Sequence, residues 1–377
     1  MTSDRRLIDH HVHGVVPTVL ERPRFELLMN EGGMPAPGGT SHFDSPVGTA
    51  ILTRCAPMLG LEPGCGPDDY LQARADLGAE AVNQLFLQAA ESARLLVDTG
   101  HRPGEVVEPD EMSRLAGVPA DSVTRIERVA EELAQRCESP RDFVEGLGAA
   151  LDAAAADSVG FKTVVAYRYG FDLDATVPAA AAVAGAAEEW FATMRDTGEC
   201  RLVSPILLAH LLHTAGDVAA QRRLPLQIHA GFGDTDLTLH RSDPSVFTPW
   251  VRQLGRRGVN LIFLHCYPYH RQAGYLAEAY PHVYFDVGVT QHYTGASAGT
   301  MIAEALEIAP YTKLLYSSDA FGLAEFAYLS AILFRRHLDR VLDGWVSAGD
   351  CTAAIADRIR SLVERDNAAR IYPLPSS

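Results

Sequence analysis

The stretch RLIDHHVHG, residues 6–14, decides the fold. Its apolar residues and lack of breakers read as a β-strand over 6–13, and in a strand the side chains two apart leave the same face. His11 and His13 therefore emerge together, close enough to share one metal ion, while His10 points the other way. Taken alone, such a pair is more often structural. The rest of the chain changes that balance, because further short apolar runs end in residues of the same chemical type. LPLQIHAG (224–231) carries His229, NLIFLHC (260–266) carries His265 and KLLYSSDA (313–320) carries Asp319. ARLLVDTG (93–100), SVTRIERV (122–129), VGFKTVVAY (159–167) and HVYFDVG (282–288) complete a set of eight strands. Helical stretches such as PAAAAVAGAAEEWFATMR and SPILLAHLLHTAGDVAAQRR separate them, one starting at a proline and the other with leucines at helical spacing. Alternating strands and helices predict a parallel sheet, and eight such units predict an α/β fold of the closed (β/α)8 TIM-type barrel. The C-terminal strand ends of that barrel share one face, so His11, His13, His229, His265 and Asp319 are expected to converge there.

Composition sets the outer limits. The chain has 377 residues, 47% of them hydrophobic and 21% charged, which is enough apolar material for a large core. With 32 basic and 48 acidic residues the formal net charge is −16, which argues against nucleic acid or an anionic membrane as partner. A small-molecule substrate, even an anionic one held by a few arginines, is compatible with it. MTSDRRLIDHHVHG has no signal-like apolar run and no segment approaches the ~20 apolar residues of a membrane span, so a cytoplasmic location is expected. The six cysteines show no zinc-ribbon spacing and read as reduced, mostly buried thiols. No repeat or composition break divides residues 1–377, which are expected to form a single domain. Residues 15–92, opening with a Gly/Pro-rich stretch and continuing into helix, are too long for an ordinary crossover and read as an insertion over the active face. Within it, His42 and Asp44 could touch substrate as part of a lid. A homodimer is compatible with base rates for soluble oligomers.

Of the 32 basic residues only Lys162 and Lys313 are lysines. Lys162 falls in the fourth strand, and a primary amine, unlike a guanidinium, can take up carbon dioxide to give a carbamate that bridges two metals. The bland alternative is a lysine paired to a carboxylate. With the bridge, His11, His13 and Asp319 would hold one ion and His229 with His265 the other. Without it, His11, His13, His229 and Asp319 would hold a single ion and His265 would serve as acid or base. Imidazoles and a carboxylate suit zinc first, with manganese or iron as alternatives, better than magnesium or calcium. Either arrangement activates a water, with Asp319 accepting its proton and returning it to the leaving group.

The order HxH, strand-4 Lys, strand-5 His, strand-6 His, strand-8 Asp resembles the amidohydrolase superfamily. Longer stretches, among them FDSPVGTAI, RCAPMLGLE, GFKTVVAYRYGFD, LPLQIHAGFGDTDLTLHRSDP, LHCYPYHRQAGYLA and LLYSSDAFGLAE, are similar to its amidohydrolase 2 branch. Within that branch they resemble the amidohydrolase-like half of proteins fused to glutamine-synthetase-like domains. The resemblance implies a metal-dependent hydrolase of a carbon–nitrogen amide bond, with γ-glutamyl amides as one substrate class. Lactonases and single-metal non-oxidative decarboxylases belong to the same branch, and many lack the strand-4 lysine, so Lys162 favours hydrolysis. A metal-bound but inactive interaction module is a further alternative, disfavoured by the intact ligand set.

Substrate contacts are expected from the same strand ends. Arg168, six residues after Lys162 and of the same parity, could fork onto a substrate carboxylate. Arg241, Asp234 and Asp236 occupy the loop after His229, where the carboxylates could receive an amine. Tyr267, Tyr269 and His270 in CYPYHR could line the pocket. Arg125 and Glu127 either face the barrel interior from the third strand or form the polar side of a helix.

Overall fold

In the computed structural model, which describes residues 5–375, the apolar runs form seven parallel strands hydrogen-bonded in sequence order. They are β1 (Leu7–Val12), β2 (Ser92–Asp98), β3 (Ala120–Arg125), β4 (Ser158–Thr163), β5 (Leu226–Ala230), β6 (Leu261–His265) and β7 (Val283–Phe285). The expected eighth strand occupies its place without forming a regular ladder. Leu315 N–H donates to Phe285 O on one side, while Tyr316 O accepts from His10 N–H and Asp319 N–H donates to His11 O on the other, so this segment closes the ring. Its irregularity has a visible cause: Ser318 N–H is bonded to the Asp9 carboxylate at 2.9 Å rather than to a neighbouring strand, and Asp319 has φ +51°.

Three expected strands are also shorter than their apolar runs, two of them because side-chain acceptors intervene. The third stops at Arg125 and gives way to the helix Ile126–Arg136, so Arg125 lies on the strand and Glu127 in the first helical turn. Glu127 then accepts from Thr163 Oγ1 (2.5 Å) and Val164 N–H (3.0 Å), which ends β4 four residues early and lets Val165–Arg168 wind into a helical turn. Asp286 takes up the His265 and Gly288 amides at 2.6 and 2.8 Å, ending β7 after Phe285. A carboxylate at a strand end competes with the ladder for backbone donors.

Period-two alternation separates an inner from an outer face. Leu261 and Phe263 pack outward in the main core, while Ile262 and Leu264 join Ile8, Leu96, Val123 and Leu315 inside the ring. Ile371 and Tyr372, at the end of the last helix, cap this inner cluster at the floor of the barrel. The helices Ala180–Thr197, Pro205–Arg222 and Ala324–Ala348 cover the outside as their sequences predict. No helix among the described residues is long and apolar enough to cross a membrane.

The insertion packs into a second apolar cluster that it shares with Val12 of β1, Leu95 and Val97 of β2 and the segment from Ala320 to Leu333. Helices Pro67–Leu77 and Ala79–Ala89, separated at Gly78 (φ +87°), pack with Arg22–Leu28 against the long helix Ala324–Ala348. Arg74 and Tyr70 fix that contact by reaching Glu325 at 2.7 and 2.9 Å, all three buried. Removing one partner leaves a buried charge uncompensated, so Glu325→Ala should destabilise the protein by about 3–5 kcal/mol. Urea unfolding of the two proteins measures it, and a loss inside experimental error would show that the insertion is held by apolar packing alone.

Candidate metal centre and substrate cavity

The strand ends do converge. Asp319 Oδ1 lies 3.1 Å from His11 Nε2 and 3.2 Å from His13 Nε2, and its Oδ2 lies 3.3 Å from His265 Nδ1. Lys162 Nζ is 3.2 Å from His11 Nε2. His229 stands beside this group, its ring 4.8 Å from that of His265 and 4.4 Å from Tyr167. All six side chains expected from the sequence thus border one space. Two sets of donors come within 4.8 Å of one another: His11, His265 and Asp319, and His11, His13 and Asp98. The grouping differs from the expected division, since His265 sits with Asp319 rather than pairing with His229 alone. Backbone strain helps to aim the side chains: His265, Cys266 and Asp319 adopt left-handed φ values of 67°, 57° and 51°, costly for residues other than glycine.

The chemistry of the donors fits a divalent cation. His229 Nε2, His265 Nδ1 and Asp319 Oδ1 are buried without a hydrogen-bond partner, an expensive condition unless an ion satisfies them. Burial lowers His11 to about 4 and drives His229 and His265 well below the usual imidazole range, so these rings are neutral and their lone pairs are free. Burial pushes Asp319 up, but His265 and His11 outweigh it and hold the carboxylate ionised. Lys162 is lowered to about 8 by burial, which brings its neutral amine within reach near physiological pH. Burial likewise pushes Asp98 up, yet Arg125 at 2.6 Å overrides it and keeps that carboxylate charged.

A cavity of about 210 Å³ opens from these residues to solvent. Asp234 and Asp236 line it as expected, and so does Arg168. Arg168 gets there by a different route from strand parity: it ends the Val165–Arg168 turn, with Glu131 at 3.0 Å. Three expected contacts lie outside the cavity lining, two of them held by other partners. Arg241 pairs with Asp172 at 2.6 Å and stacks on Tyr169, His270 meets Glu304 at 2.5 Å, and Tyr267 is 37% exposed. Tyr269 is also outside, as are His42, whose ring nitrogen contacts Met34 O, and Asp44. His10, read as pointing away from His11 and His13, lies outside the cavity lining and meets Tyr372 and Asp286.

Sequence reasoning missed several lining residues. Glu31, from the Gly-rich loop of the insertion, faces the cavity and is hydrogen-bonded to Tyr293. Burial, with Asp319 and Asp234 nearby, pushes its carboxyl up to about 8. Nothing in MNEGG signals this role. His101, Arg102, His292 and Tyr293 follow β2 and β7, and Asp98 ends β2, so the same rule that found His265 and Asp319 applies to them.

These features define a barrel with a metal-binding strand-end centre, and comparison with known proteins agrees. The amidohydrolase family model matches residues 8–374, so the chain belongs to the amidohydrolase family. It is 32% identical over 245 residues to protein fluG of Emericella nidulans, a match covering 62% of this chain but only 28% of that protein. A Lactobacillus casei protein assigned as a metal-dependent hydrolase superimposes with a TM-score of 0.84 at 26% identity, covering 97% of this chain and 94% of that one. Uronate isomerase of Thermotoga maritima shares the fold, with a TM-score of 0.65 at 12% identity over 97% and 94% of the two chains.

The buried imidazoles give the metal-free protein a defined acid response. His11, His101, His229, His265 and His292 are all lowered on folding, chiefly by burial, so the unfolded chain takes up their protons first as pH falls below about 6.5. Asp9, Glu31, Glu127 and Asp234, raised on folding, act in the opposite direction but are fewer. Thermal melts in chelator should therefore show the melting temperature falling from pH 6.5 toward pH 4. A profile that is flat or rises toward acid would contradict neutral burial of these rings.

Proposed function

We propose that the chain hydrolyses a carbon–nitrogen bond in a small, carboxylate-bearing amide, with γ-glutamyl amides as the first class to test. The observation that carries this reading is the ionised Asp319, within 3.3 Å of three imidazoles and beside Lys162, at the bottom of a cavity with both basic and acidic walls. His11, His13, His229, His265 and Asp319 would hold a divalent metal, zinc first and manganese or iron next. Such an ion, when bound, supplies Lewis acidity and brings the pKa of a water toward neutrality. Asp319 accepts the proton of the attacking water and passes it to the leaving nitrogen, which departs as a neutral amine. Lys162, as the free amine, adds carbon dioxide with loss of a proton, and the resulting carboxylate would bridge a second ion.

The cavity walls support an amino-acid-like acyl group. Arg168 and Arg201 line the cavity, each with a carboxylate neighbour at 3.0–3.1 Å that a substrate carboxylate would have to share or displace. Glu31 and Asp234 line it as well, and an α-ammonium would offset two carboxyls that burial otherwise keeps raised. The link to γ-glutamyl compounds also draws on the resemblance to glutamine-synthetase fusions, and the match to fluG covers only part of that protein.

A second reading has a specific observation behind it. His229 belongs to neither close donor set among the described residues, and both sets share His11, an arrangement suited to a single ion. A single-metal lactonase or decarboxylase would follow from that. Metal content per chain, measured by elemental analysis on protein purified without chelator, separates the two. About two ions per chain support the bridged hydrolase, and about one favours the single-ion chemistry. In the hydrolase, Asp319→Asn should lower turnover by about 10²–10⁴-fold at full metal loading, read as amine release from a panel of γ-glutamyl amides. Near-normal turnover by that variant would remove Asp319 from the mechanism.

A further inference from the structure

Beneath the metal centre, a chain of buried polar groups crosses the barrel floor with donor and acceptor roles that can be assigned. Gln227, on β5, has its Nε2 2.7 Å from the His10 carbonyl oxygen. A carbonyl only accepts, so that position must be the amide nitrogen, and Oε1 faces His11 Nδ1 at 2.8 Å. His11 therefore carries its proton on Nδ1 and turns an unprotonated Nε2 toward Asp319 and Lys162. The second amide hydrogen of Gln227 goes to the Tyr372 hydroxyl at 2.9 Å, whose own hydrogen points to His10 Nδ1 at 3.0 Å. His10 Nε2 stands 2.8 Å from Asp286 Oδ2, in close contact but not aligned as a hydrogen bond, and Asp286 Oδ1 accepts the His265 amide. The chain thus joins one metal-ligand candidate through its ring and another through its backbone.

Gln227 is out of character with its surroundings. The inner cluster at this level is apolar, built from Ile8, Leu96, Val123, Leu264 and Leu315, and a fully buried amide there is costly unless its hydrogen bonds are used. We infer that Gln227 and Tyr372 are positioning residues: together they lock His11 in the Nδ1–H tautomer and so set the centre's affinity for a divalent cation. This rests on the metal reading above. Ring orientation and tautomer are commonly fixed through the nitrogen that does not bind the ion, and losing such a partner weakens metal binding by about 10–100-fold.

The test is Zn²⁺ competition against a chromophoric chelator, with thermal melts of the metal-free proteins alongside. Gln227→Met fills the space without an acceptor and should weaken Zn²⁺ binding by about 10–100-fold. Gln227→Glu retains an acceptor for His11 while losing donors to His10 and Tyr372, so it should melt lower yet bind Zn²⁺ like the wild type. Tyr372→Phe frees the amide on one side and should cost about three- to tenfold in affinity, the worth of one buried hydrogen bond. Affinity that tracks melting temperature in the Met and Glu variants alike, or a folded Gln227→Met with wild-type affinity, would overturn the assignment. If Gln227→Met does not fold, unchanged affinity in Tyr372→Phe overturns it instead. A wild-type protein that takes up no Zn²⁺, Mn²⁺ or Fe²⁺ would overturn the metal centre itself, an outcome distinct from a wild type that binds and variants that do not differ.

Discussion

One carboxylate organises this molecule. Asp319 holds a negative charge within 3.3 Å of three buried imidazoles, and a charge removed from water must be compensated where it sits. Burial keeps the imidazoles neutral, so they meet the carboxylate with ring dipoles and not with full positive charges. The Lys162 amine, 3.2 Å from His11, interacts with the carboxylate, but burial weakens its hold on a proton as well. A multivalent cation resolves this at one stroke by engaging the orphaned His229, His265 and Asp319 atoms together. The strained backbone at His265 and Asp319 follows from the same demand, since regular strand geometry would not bring both side chains to one point.

The barrel divides the task by height. Its floor combines an apolar cluster with the Gln227–Tyr372–His10 polar chain, and Tyr372 seals it from below. At mid-height, carboxylates take over from the ladder: Asp9, Glu127 and Asp286 each capture a backbone amide of a neighbouring segment. Those captures end strands early and fix where the next side chains emerge. Lys162 is one residue from the Thr163 hydroxyl that Glu127 holds, and His265 is held directly by Asp286. The mouth is left to loops, and there the insertion contributes Glu31 and neighbouring residues to the cavity wall.

How much of this could be read from the chain follows from the range of each interaction. Apolar runs with period two and ligand residues at their ends are local signals, and they located all seven strands, the closing segment and the six convergent side chains. Arg168 reached the cavity although the parity argument behind it failed, because the Glu127 capture that ends β4 comes from another strand–helix unit. Arg241 and His270 were drawn away by Asp172 and Glu304, acidic partners distant in sequence. Glu31 lay in a stretch with no periodicity at all. Gln227 was in plain view within LPLQIHAG, two residues before His229 and on the same face, yet an amide carries no signal until its partners are known.

That last case bears on what an inward-facing polar residue in a barrel strand means. On β5 the inward positions are Gln227 and His229, one level apart, and neither is a filler. His229 offers a free lone pair to the cavity, while Gln227 spends its acceptor on His11 and its donors on the chain around it. A leucine or valine at 227 would continue the apolar floor upward and leave His11 Nδ1 without an acceptor, free to present its N–H toward Asp319 instead. Affinity for a cation would then compete with a direct imidazole–carboxylate hydrogen bond. The amide removes that competitor by committing the proton elsewhere, and the hydroxyl of Tyr372 supports the amide from the barrel floor.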